Sequence, residues 1–116
     1  MQPLTFALTL ASLTLLGCRT PAEGRWAEVD GGGAEVDGAM SLTLEEGWRG
    51  RITGEGIMAG RHLTVSGVRK GRVVLLDLAV EGADSAAFQG GFAGADVIRG
   101  YLSTPRLGRA LQLVRQ

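Results

Sequence analysis

The chain has 116 residues, 19 of them Gly, with only 5% aromatic residues and 12 basic side chains against 12 acidic ones. That length allows one domain, and balanced charge argues against a nucleic-acid binder, which needs a clustered cationic face. One Cys and one His leave no disulfide framework and no thiolate or imidazole metal site. The Gly content also disfavours a helical bundle, because each interior Gly costs about 1 kcal/mol relative to Ala.

In chain order, the first feature is Leu4–Leu16, an uncharged run of Leu, Thr, Ala, Phe and Ser that ends at Gly17-Cys18. It falls short of the roughly 20 residues that span a bilayer as a helix and has the form of a signal-peptide core. Leu15-Leu16-Gly17-Cys18 resembles the lipobox of bacterial lipoproteins. The resemblance implies cleavage between Gly17 and Cys18, diacylglycerol on the Cys18 thiol and usually an acylated (palmitate-type) amino group. The n-region, Met1-Gln2-Pro3, departs from that family in having no Lys or Arg. Residues 1–17 are then a signal peptide, forming a helix before cleavage, and 18–23 are the lipidated Cys with a short tether. Arg19–Glu23 reaches at most about 17 Å, which holds the following domain close to the membrane.

From Gly24 to the C-terminus the pattern has period 2. Met40, Leu42 and Leu44 alternate with polar residues, as do Leu63 and Val65, Ile98 and Leu102, and Leu111 and Leu113. Val73–Val80 is almost wholly apolar, interrupted by Asp77, which is expected to face solvent. Eight strands are expected over 24–29, 39–45, 48–57, 62–68, 72–80, 85–92, 97–103 and 109–115. The connections after the first are of hairpin length, and no segment supplies a crossover helix. The expected fold is therefore all-β, a small eight-stranded up-and-down antiparallel barrel over 24–116, whose closure removes both sheet edges. Gly50, Gly54, Gly56, Gly67, Gly90, Gly91 and Gly100 fall inside these strands, where tight coiling benefits from positions without a Cβ.

The expected interior consists of Met40, Leu42, Leu44, Ile52, Leu63, Val65, Val74, Leu76, Leu78, Phe88, Phe92, Ile98, Leu102, Leu111 and Leu113. A barrel of eight strands is filled by such side chains or holds one small ligand. Trp48, Phe88 and Phe92 are the candidate lining residues for a small apolar ligand.

Gly24-Arg25-Trp26 on the first strand resembles the G-x-W of calycins, the lipocalin and avidin type of barrel. The resemblance implies a Trp packed across the barrel bottom under a basic residue from the last strand. Arg115 has the inward parity for that role, so Gly24, Trp26 and Arg115 form the expected closure of the barrel.

An even-stranded meander puts both termini at one end. Arg69-Lys70-Gly71-Arg72 would share that end with the anchor, either facing the membrane or as a solvated hairpin tip beside Glu45 and Glu46. The other end would carry Ala27-Glu28-Val29-Asp30-Gly31 and its duplicate Ala34-Glu35-Val36-Asp37-Gly38, an acidic lid that Arg106 and Arg109 could pair with. The duplication lacks the Asp-x-Asp-x-Asp-Gly spacing of a calcium loop, so no metal is expected.

No catalytic set emerges. His62 and Ser66 are about 13 Å apart along a strand, too far for a base and a nucleophile. Gly54-Glu55-Gly56 with Ala59 fits a dinucleotide pattern only if a helix follows, and a strand is expected there. The expectation is a non-enzymatic bacterial envelope lipoprotein without cofactor or nucleic-acid partner. It is held to the membrane through lipid on Cys18, at the periplasmic face of the outer membrane if the cell has two membranes. Three roles stay open: a structural or envelope-protein interaction module, a carrier of a small apolar ligand, and a barrel resembling the small periplasmic inhibitors of metalloproteases.

Overall fold

The computed structural model describes residues 21–29, 39–106 and 108–116. The signal segment, Cys18 and the stretch 30–38 of the acidic duplication lie outside the described residues. The described chain forms eight antiparallel strands: β1 Gly24–Val29, β2 Ser41–Glu46, β3 Arg51–Met58, β4 Arg61–Lys70, β5 Val73–Val80, β6 Ala86–Gly94, β7 Val97–Ser103 and β8 Gly108–Arg115. Each strand pairs with the next, and β1 pairs with β8 through Trp26 opposite Arg115 and Glu28 opposite Leu113, closing an up-and-down barrel. No helix among the described residues is long and apolar enough to cross a membrane.

The register follows from the alternation. On β5, Val74, Leu76, Leu78 and Val80 are buried while Val73, Leu75, Asp77 and Ala79 are exposed. All fifteen aliphatic, Met and Phe side chains expected inside are buried, joined by Trp26, Val80, Ala86 and Ala22 in one core. Asp77 faces solvent.

Glycines on the inward side allow the sheet to coil this tightly. A Cβ built on Gly54 would lie 2.2 Å from the carbonyl oxygen of Thr43 on the paired strand. Gly90 and Gly100 sit opposite each other beside the Phe88 ring, which a Cβ on either would approach within 2.8 Å. The missing side chains are the space that Phe88 occupies.

Two expectations are corrected. Residues 48–50, expected to begin the third strand, form a single 3-10 turn, with Arg49 at φ 58 and Gly50 at φ 77. A strand could not continue through two left-handed residues. The basic cluster 69–72 is also not all turn. β4 runs through Lys70, which gives Arg69 the inward parity of Leu63 and Val65 and buries it.

The strand count places both chain ends at one end of the barrel, called here the entry end, with the turns 47–50, 71–72 and 95–96. The opposite, far end carries 39–40, 59–60, 81–85 and 104–106.

Candidate functional site: the closed ends of the barrel

The entry end is assembled around Trp26. Its indole is fully buried, meets Phe92 edge-on with ring centroids 6.0 Å apart, and donates its Nε1–H to the Ala22 carbonyl at 2.8 Å. The guanidinium of Arg115, from the last strand, lies 4.4 Å from the centroid of the indole ring. The same side chain donates to Asp96 Oδ1 at 2.9 Å, to the Pro21 carbonyl at 2.9 Å, to the Ala95 carbonyl at 3.2 Å, and to the Glu23 carbonyl. Gly24 explains how Arg115 gets there. It has φ +132, and a Cβ on it would lie 2.8 Å from Arg115 Nη1. A side chain at 24 would be strained and would block the guanidinium from the indole. Gly24, Trp26 and Arg115 thus come together in one contact.

A second group completes this end. Glu46 and Arg69, both inward, form an ion pair in which neither side chain is more than 9% exposed. Arg69 Nε donates to the two carboxylate oxygens of Glu46 at 2.8 and 2.9 Å, and its Nη1 donates to the Gly71 carbonyl. Glu46 also accepts from the Ala22 N–H at 2.7 Å. The hydrogen bonds that Arg69 donates to Glu46, outweighing burial, hold the Arg69 pKa above its ordinary value. Ala22 is therefore docked twice, through its N–H on Glu46 and its carbonyl on Trp26. The entering chain is fixed to the barrel two residues before β1 begins.

The far end is closed by Glu28 and Arg109. Glu28 belongs to the first copy of the acidic duplication, but its parity is that of Trp26 and its side chain is 4% exposed. It accepts two hydrogen bonds from Arg109 and one from the Met40 N–H at 3.0 Å. Burial pushes its pKa up, yet the Arg109 hydrogen bonds, the Met40 N–H and the charge attraction outweigh burial and hold it below the usual carboxylate range. Arg106, also expected to reach the acidic stretch, donates its backbone N–H to Thr104 Oγ1.

The three candidate lining residues are not brought together. Phe88 and Phe92 are buried in the packed interior, whereas Trp48 is 81% exposed in the 3-10 turn outside the barrel. Trp48 read as part of a strand because Trp favours strands, and only the two left-handed residues after it reveal the turn.

Two open recesses are formed by described residues, one on the outer wall and one at the far mouth of the barrel, where it reaches the core at Val80 and Met58. One, about 630 Å³, crosses the outer wall between Arg25, Thr43, Glu55, Ile57 and His62. The other, about 980 Å³, lies at the far end between Met58, Arg61, Asp84 and Arg106. His62 is exposed and meets Glu55 at 3.1 Å, and Gly54-Glu55-Gly56 lies within β3 and leads into β4. Among the described residues, no three of His, Cys, Asp and Glu converge as a metal site would require.

The geometry therefore provides a packed interior, a buried ion pair at the entry end, an ion pair at the far end and a clamped N-terminal entry. No family model, curated protein or solved structure matches the chain. A closed eight-stranded antiparallel barrel with Arg115 over Trp26 is compatible with a calycin-like architecture.

Proposed function

We propose that this protein is a lipid-anchored, non-enzymatic lipoprotein of the bacterial envelope, whose barrel is a structural or protein-interaction module. The observation that carries this reading is where the chain is first held. Pro21 and Ala22 are bonded to Arg115, Glu46 and Trp26, and the sole Cys stands three positions before Pro21. Lipid on Cys18 would leave only Arg19 and Thr20 between the anchor and Pro21, a span of about 10 Å at full extension. That is shorter than the full reach of Arg19–Glu23. Two or three acyl chains, at roughly 0.8 kcal/mol per buried methylene, make such an anchor long-lived.

The packed interior favours the module over the carrier, because Phe88 takes the space left by Gly90 and Gly100, and the buried Glu46–Arg69 pair fills the entry end. The clamp on Pro21 and Ala22 likewise disfavours the inhibitor-like role, which needs a free N-terminal segment.

Fractionation of a bacterium expressing the chain tests the anchor. The wild type should pellet with membranes and be extracted by detergent. Cys18→Ser should lose lipid attachment, and its barrel, once separated from residues 1–17 by protease, should wash off membranes in high salt. A Cys18→Ser barrel that stays with membranes after that cut and a high-salt wash would overturn the reading.

A further inference from the structure

Beside the entry end, the outer wall carries an apolar and cationic shoulder that the barrel itself does not use. Trp48 is 81% exposed at its tip, and Val73, Leu75 and Val68 below it are 48%, 42% and 37% exposed. The register makes them neighbours: Val68 stands opposite both Arg51 and Leu75, and Lys70 opposite Val73. The 48–50 turn lies against the end of β4, since a Cβ on Gly50 would meet the Arg69 carbonyl oxygen at 2.2 Å. Arg49, Arg51, Lys70 and Arg72 surround these residues, and none of the four is ion-paired among the described residues. Arg49 lies over the Trp48 ring at 5.7 Å, and Arg72 donates to the Phe92 carbonyl.

The carboxylates at this end are otherwise placed. Glu46 and Asp96 are bonded to Arg69 and Arg115, Glu23 lies on the entering chain, and Glu45 stands one strand away opposite Thr53. Removing Arg69 from the exposed cluster therefore does not discharge the shoulder, because Arg49 and Arg51 take its place.

We infer that this shoulder is a docking surface for an anionic lipid bilayer, on which the barrel lies with Trp48 at the headgroup level. Three observations select that occupant. The surface is cationic where a phospholipid surface is anionic. Its tip is an exposed indole, the side chain that prefers the water–lipid boundary. It also adjoins the end at which the chain enters from Cys18, so a short link would bring it against the bilayer. The last point rests on the lipid-anchor reading; the first two do not.

The chain has two Trp residues, and Trp26 is fully buried, so emission lost in Trp48→Phe belongs to Trp48. The mature protein extracted from membranes is mixed with phosphatidylcholine vesicles, or with vesicles containing phosphatidylglycerol, each with and without brominated acyl chains. Trp48 emission should shift to the blue and be quenched by bromolipid when phosphatidylglycerol is present. The quenching should be lost in Trp48→Phe and in high salt, and Lys70→Gln should weaken partitioning about fivefold. Trp48 that stays open to aqueous acrylamide and unquenched by bromolipid in phosphatidylglycerol vesicles overturns the surface and leaves it to a protein partner. Flotation on phosphatidylcholine reports the acyl anchor separately. Flotation without Trp48 quenching leaves the anchor and removes the surface. Phosphatidylglycerol-dependent quenching without flotation on phosphatidylcholine removes the anchor and keeps the surface. Loss of both signals removes both.

Discussion

Arg115 joins three distant parts of the chain: the entering segment at Pro21 and Glu23, the turn at Ala95 and Asp96, and the indole of Trp26. Arg115→Leu should keep the side-chain bulk but lose the cation–π contact, worth about 0.5–2 kcal/mol, together with those hydrogen bonds. Urea denaturation should register a loss of about 2–3 kcal/mol in total. The chain upstream of Glu23 should become sensitive to protease, and unchanged stability and protection would contradict the clamp. This contact is legible in the sequence, because Trp26 follows Gly24 by two and Arg115 has the parity of Leu111 and Leu113. The pairing of Arg109 with the acidic stretch is legible too, but the burial of Glu28 and the Glu46–Arg69 pair are not. Glu28 sits in an acidic, Gly-rich stretch and Arg69 in a basic one, and each reads as solvated because its partner is 81 or 23 positions away. Glu28 also makes a pH prediction. A carboxylate held below its ordinary value of 4.5 contributes stability that is present above that value and lost as pH falls through the lower, folded one. Thermal stability of the wild type should therefore fall as pH drops below about 4.5. Glu28→Gln should be less stable at neutral pH and show a shallower acid decline. An equal decline in both would remove Glu28 as the acid-sensitive group.

Among the strands, the alternating pattern carries the most information. β1 and β7 keep the bounds that the alternation predicts, and the others move by one to three residues. The largest shift is at β3, where the 3-10 turn displaces Trp48 from the wall. No local pattern distinguishes that turn, since Gly47 and Gly50 also suit a coiled strand. The inward glycines belong to this scale as well. A Cβ on Gly100 would lie 2.4 Å from the Gln89 carbonyl oxygen and 2.6 Å from the Gly90 Cα, so two strands would have to separate. Gly100→Ala should cost about 1–3 kcal/mol, as overpacking does. Gly47→Ala is the control: its Cβ would meet only the Arg51 carbonyl oxygen at 4.0 Å, and it should change stability by less than about 0.5 kcal/mol. Equal effects at both positions would mean that the glycines act through the unfolded chain rather than through strand approach.

The described chain is a barrel closed around its girth by the β1–β8 pairing, with one ion pair at each end of its axis. Closure around the girth is legible in the strand count and the absence of a crossover segment. Arg109 is anticipated as a partner of the acidic stretch, whereas the Glu46–Arg69 pair is hidden in charged residues whose inward parity only the register reveals. Together they leave a rigid module whose interior is occupied by its own side chains and whose entry end grips the chain three residues after Cys18. The function proposed for that module depends on one covalent fact, which intact-mass spectrometry of the membrane-extracted protein addresses directly. The expected species is a chain beginning at Cys18, lacking residues 1–17, with the added mass of a diacylglycerol and usually one further acyl group. A chain cut elsewhere, or one that keeps Cys18 as a free thiol, would contradict the lipid anchor.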